Sequence, residues 1–76
     1  MDWKEIKRVL SADGKKRLLI MAAPGNLFRF EEYTYVTKDG YTFWSPTWGS
    51  GLYDSTEAAE RDAHLELRWL RDRNSN

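Results

Sequence analysis

Residues 27–37, LFRFEEYTYVT, alternate with a period of two and are bounded at both ends by reversal signals. Successive side chains of an extended chain point to opposite faces, so Phe28, Phe30, Thr34 and Val36 share one side and Leu27, Arg29, Tyr33 and Tyr35 the other. Pro24-Gly25 suits the two central positions of a type II turn, because proline presets a negative φ and glycine accepts a positive one. Lys38-Asp39-Gly40 supplies the second reversal. These turns commit the flanking segments to antiparallel pairing: residues 16–23 form one strand, and residues 41–46 form another that stops where Pro46 removes a ladder donor. The centre of the chain is thus predicted to be a three-stranded antiparallel meander over 16–23, 27–37 and 41–46. Glu31 and Glu32 place a charge on each face, which predicts an exposed strand end or a bulge there.

Such a sheet must bury one face against something. Asp54-Ser55-Thr56-Glu57 reads as an acidic helix cap with Glu57 positioned to reach back, and Tyr53 with Ala58 as a hydrophobic staple. Ala59, Ala63, Leu67 and Leu70 then form an apolar stripe, predicting a long helix over residues 55–72 with a frayed tail at 74–76. Leu65 and Trp69 lie on a diverging stripe that one sheet does not easily cover. Residues 2–11 offer a cover, since Trp3, Ile6 and Leu10 recur at helical spacing and Asp13-Gly14 can end a helix. A homodimer through Leu65 and Trp69 is the alternative, and a monomer is favoured because a short chain needs that internal area. The expected fold is α+β in the order α-β-β-β-α: a meander against a long carboxy-terminal helix, with a short amino-terminal helix alongside.

Seventy-six residues suit one domain, and a chain of that size buries only about 60% of the surface its unfolded form exposes. Four Trp, four Tyr and three Phe offset this, because a few aromatic side chains can close a small core. With no cysteine, no disulfide or thiolate metal site is available. The segment MDWKEIKRVL is charged throughout, and no run approaches the roughly 20 apolar residues of a membrane span. A cytoplasmic protein without membrane association is expected. Twelve basic residues balance twelve acidic ones, so binding to nucleic acid would need a local patch.

Catalytic chemistry finds little material. His64 falls on the polar side of the final helix between Glu60 and Arg68, as a solvated histidine would. Asp54, Glu57 and Glu60 could form a loose carboxylate cluster for a hard cation, but capping already explains the first two, and neither metal nor cofactor is expected. Gly49-Ser50-Gly51 has neither Walker nor dinucleotide spacing, and the acids at the helix start oppose a bound phosphate. The β-β-β-α half with its GSG corner resembles double-stranded RNA-binding domains and plant AP2-type DNA-binding domains, a resemblance of grammar over roughly the last 35 residues. It implies nucleic-acid contacts, yet DSTEAAERDA carries acids where an RNA-binding helix carries lysines. The aromatics are more telling: Tyr33 and Tyr35 share a strand face, Trp44 lies on the neighbouring strand, and Trp48 stands in the loop beyond. The chain therefore reads as a non-enzymatic binding or adaptor protein of bacterial or phage type, recognising a protein through Tyr33, Tyr35, Trp44 and Trp48. The rival is a nucleic-acid-binding module using Lys15, Lys16, Arg17 and Arg29 with the sheet aromatics.

Overall fold

In the computed structural model, which describes residues 2–74 and side chains as far as Arg71, four strands precede two short helices. The strands are β1 (Lys4–Leu10), β2 (Lys16–Ala23), β3 (Leu27–Lys38) and β4 (Tyr41–Gly49), and the helices are α1 (Thr56–Glu66) and α2 (Arg68–Asn74). The sheet is an antiparallel meander in the order β1-β2-β3-β4. The α+β class and the antiparallel meander agree with expectation; the number of strands and the single long helix do not.

The expected amino-terminal helix is an edge strand. β1 pairs with β2 from Lys4↔Ala22 to Leu10↔Arg17, and the register slips between Glu5 and Lys7, leaving Ile6 as an extra residue. A bulge inserts one residue into a period-two pattern and mimics helical spacing at Trp3, Ile6 and Leu10. The glycine expected to stop a helix closes a hairpin instead: Gly14 has φ +73° and donates to the Ser11 carbonyl at 3.0 Å. The Asp13 carboxylate fixes this loop by accepting from the Ser11 hydroxyl at 2.7 Å and the Lys15 amide at 3.0 Å. The expected order α-β-β-β-α is therefore replaced by β-β-β-β-α-α.

β2 and β3 run in unbroken register from Lys16↔Thr34 to Ala23↔Leu27. Asp39 and Gly40, at φ 53° and 81°, close the two-residue hairpin between Lys38 and Tyr41, as expected for Asp-Gly. β4 does not stop at Pro46; it continues to Gly49 and carries a bulge opposite the Glu32–Tyr33 step. Proline is tolerated there because β4 is an edge strand with no outer partner among the described residues. The GSG corner also follows β3: the Ser50 amide donates to the Phe30 carbonyl at 3.0 Å, and the Ser50 hydroxyl accepts from the Phe30 amide at 2.8 Å. A two-way backbone bridge between Phe28 and Tyr53 then delivers the chain to α1.

Ser55, not Asp54, caps α1, its side chain accepting from the Ala58 amide at 3.1 Å. Glu57 consequently sits one position too early for a capping box and acts in the first turn, where an acid favours the helix dipole. The helix expected over 55–72 breaks at Leu67, whose backbone is extended at φ −104° and ψ 100° while its amide still donates to the Ala63 carbonyl. The break re-aims the chain so that Leu67 and Leu70 both reach the core formed by Leu18, Ile20, Phe30, Ala59 and Ala63. Burial of a side chain such as Phe30, which is fully enclosed, is worth about 1.5–3 kcal/mol. The break also separates the second stripe. Trp69 packs against the core, whereas Leu65 is 63% exposed, so the two do not form one surface and no amino-terminal helix covers them. Of the expected frayed tail, Asn74 ends α2, and Ser75 and Asn76 lie outside the described residues.

Candidate functional site

Pairing registers sort the strand residues into rows across the sheet. Facing the helices are the rows Val9–Leu18–Glu32–Trp48 and Lys7–Ile20–Phe30. On the opposite face lie Leu10–Arg17–Tyr33–Pro46, Arg8–Leu19–Glu31–Gly49 and Glu5–Met21–Arg29, with Tyr35 and Trp44 as a further cross-strand pair. Neither helix covers this second face, and the molecule is a slab whose extents are 41 × 34 × 16 Å.

The open face is dressed by guanidinium groups and aromatic rings. Arg17 lies with its guanidinium carbon 4.3 Å from the Trp44 ring centre and 5.4 Å from that of Tyr33. Tyr35 meets Trp44 edge to face at 5.2 Å. Arg29 stands 5.6 Å from the Trp3 ring centre and pairs with Glu31 at 3.1 Å, and Arg8 holds Glu5 through two hydrogen bonds of 2.9 and 3.1 Å. Gly49 lies beside this cluster, where a Cβ would come within 3.2 Å of an Arg29 terminal nitrogen and displace that guanidinium slightly. The Tyr33 hydroxyl donates to Glu31 at 3.0 Å; burial, and then that neighbouring carboxylate, raises the phenol pKa. The hydrogen bond from Arg8 lowers the Glu5 pKa, and Glu5 in turn raises that of Arg8.

Three of the four aromatic candidates, Tyr33, Tyr35 and Trp44, thus converge on the open face together with Arg17 and Arg29 from the rival basic set. The remaining candidates go elsewhere. Lys15 is exposed in the hairpin loop, its carbonyl accepting from the Tyr35 amide at 2.7 Å. Lys16 turns toward the helix side and donates to Thr34 at 3.2 Å. Trp48 belongs to β4, not to a loop: the bulge at Thr47 shifts it onto the helix side opposite Glu32, where it stands 43% exposed at the rim. Trp3, Leu10 and Arg8 join the open face as well, a placement that the helical spacing of β1 conceals.

A second recess lies on the helix side. A groove of about 590 Å³ between β4 and the α1–α2 junction is lined by Glu32, Trp48 and Trp69 among others. Glu32 is only 8% exposed, and its two oxygens accept from the Trp69 indole N–H at 2.8 Å and the Thr47 hydroxyl at 2.5 Å. The bulge anticipated at Glu31–Glu32 is real but belongs to the partner strand, and Glu32 is buried instead of marking an exposed end. This carboxylate has a structural use, joining α2 to the centre of the sheet.

Among the described residues no three His, Asp or Glu side chains come together as a metal site, and no helix is long and apolar enough to cross a membrane. Comparison with protein-family models, with curated proteins and with solved structures finds no match to this chain.

Proposed function

We propose that this protein is a non-enzymatic binding module that recognises a protein through the open face of its sheet. The observation that carries this reading is the Tyr33–Tyr35–Trp44 cluster held around Arg17 on a face that no helix covers. Trp, Tyr and Arg are the residue types that most often anchor protein interfaces, and stacking fixes their orientation before a partner arrives. Trp48 pairs with Glu32 on the helix side, yet it also lines a recess with Arg29, Glu31 and Tyr33 at the edge of this patch.

A nucleic-acid module is the second reading, favoured by Arg17 and Arg29 sharing the face with aromatics. Two of the three arginines there are already matched by acids, Arg8 by Glu5 and Arg29 by Glu31, which leaves little charge to release counterions from a phosphate backbone. Selection of a random peptide display library on the wild-type protein and on Trp44→Ala tests the first reading. Peptides retained by the wild type and lost on the folded variant support it, and peptides indifferent to Trp44 remove it. Mixed-sequence oligonucleotides titrated at low salt test the second, which fails if no binding is detected.

A further inference from the structure

We infer that the open face receives a carboxylate, presented by an acidic side chain on an otherwise apolar segment of the partner protein, at the guanidinium of Arg17. This rests on the open-face binding reading and adds the chemistry of the partner.

Charge accounting along the face singles out Arg17. Arg8 is engaged by Glu5 and Arg29 by Glu31, whereas Arg17 makes no ion pair among the described residues. Its Nε, like that of Arg29, is buried without a hydrogen-bond acceptor, so the missing ion pair is what sets Arg17 apart. A buried donor without an acceptor is costly, and it leaves this guanidinium short of hydrogen bonds. Arginine suits this role because its planar fork matches a carboxylate with two parallel N–H bonds. The Trp44 and Tyr33 rings, at 4.3 and 5.4 Å, already hold the fork in place, so less rotamer freedom remains to be lost on binding.

The surroundings specify the rest of the ligand. Leu10, cross-strand from Arg17, is 45% exposed, and Tyr35 on the other flank is 41% exposed, giving apolar contact on both sides of one cation. Glu31 lies one row away and Glu5 a further row along the same face. A chain with regularly repeated negative charge, such as a phosphate backbone, would run onto these carboxylates. A segment with one acid among apolar residues would not.

The test uses the full chain and a random peptide display library, with oligothymidylate as the competing probe. Peptides whose binding depends on Trp44 are expected to be enriched in Asp or Glu. Replacing that acid with its amide should weaken binding roughly ten- to hundredfold, as should Arg17→Gln, while Arg17→Lys should recover only part of the loss. The ligand-side replacement leaves the protein untouched, so the outcome does not depend on whether Arg17→Gln folds. Trp44-dependent peptides without acid enrichment, or insensitive to amidation, overturn the carboxylate and leave the binding face standing. A library yielding no Trp44-dependent peptide removes both. Oligothymidylate binding at low salt that Arg17→Gln abolishes overturns the inference in favour of phosphate.

Discussion

The two faces of the sheet are made from alternate residues of the same strands, yet different forces hold them. On the helix side Ile20 and Phe30 are closed in by Ala59, Ala63, Leu67 and Leu70, and the contacts are almost wholly apolar. On the open side Leu19 is also buried, at 8% exposure, without any layer above it. Leu19 lies between Arg8 and Glu31 across the sheet, and the stems of such long side chains can shield an apolar neighbour. A face assembled in this way is protected but not committed. Cation–π and edge-to-face contacts contribute roughly 0.5–1.5 kcal/mol each, little enough for a partner to rearrange them. The helix side fixes the fold, and the open side is the face proposed for recognition.

The sharpest way to break that division is to attack each face in turn. Phe30→Ala should have the largest effect, about 3–5 kcal/mol, enough to unfold much of a domain this small; circular dichroism during urea denaturation reads it. Glu32→Ala should follow at about 1–3 kcal/mol, because the Trp69 indole N–H and the Thr47 hydroxyl lose their acceptor. Its signature is a lower urea midpoint with altered tryptophan emission from α2. Trp44→Ala removes one cation–π and one edge-to-face contact; it should cost about 1–3 kcal/mol, no more than Glu32→Ala, and leave the circular dichroism spectrum unchanged while binding is lost. Should Trp44→Ala instead unfold the protein as Phe30→Ala does, the open face would be structural and the division would fall.

Two pH responses sharpen the contrast. Tyr53, on the helix side, has a pKa above its ordinary value of 10.0, chiefly through burial and then through Asp62. Its contribution to stability is therefore present below pH 10.0 and declines as pH rises through the folded-state value. Tyrosinate absorbance combined with denaturation midpoints should show this decline, and Tyr53→Phe should flatten it. The smallest effect belongs to Glu5 on the open face, whose pKa is lowered by Arg8. Any stability it contributes is present above the ordinary value of 4.5 and lost as pH falls through the folded-state value. Titration of its carboxyl carbon resonance by NMR should show the downward shift, and Arg8→Gln should remove most of it, the charge of Arg17 sustaining the remainder.

The features legible in the sequence are those that local rules determine. β2, β3 and the Asp39-Gly40 hairpin follow from parity and turn chemistry, and Tyr33 and Tyr35 share a face for the same reason. Two bulges defeat the same rule. The extra residue at Ile6 disguises β1 as a helix, and the one at Thr47 moves Trp48 to the other side of the sheet. The helix break at Leu67 has no proline or glycine to announce it; the pull of Leu67, Leu70 and Trp69 toward the sheet accompanies it. Arg17 is visible as part of a basic run, but its place between Tyr33 and Trp44 requires the pairing of three strands. The burial of Glu32 likewise depends on an indole thirty-seven residues further along the chain.

The sheet is ordered along the chain as it is in space, with both helices following the last strand. During synthesis all four strands would leave the ribosome while the residues that cover Ile20 and Phe30 are still inside it. A paired but uncovered meander would then present apolar surface on the very side that is later sealed, and transient surfaces of this kind invite aggregation. The helix pair therefore works as a closure for the nascent chain, and truncation before Leu67 would be felt first as poor yield of soluble protein.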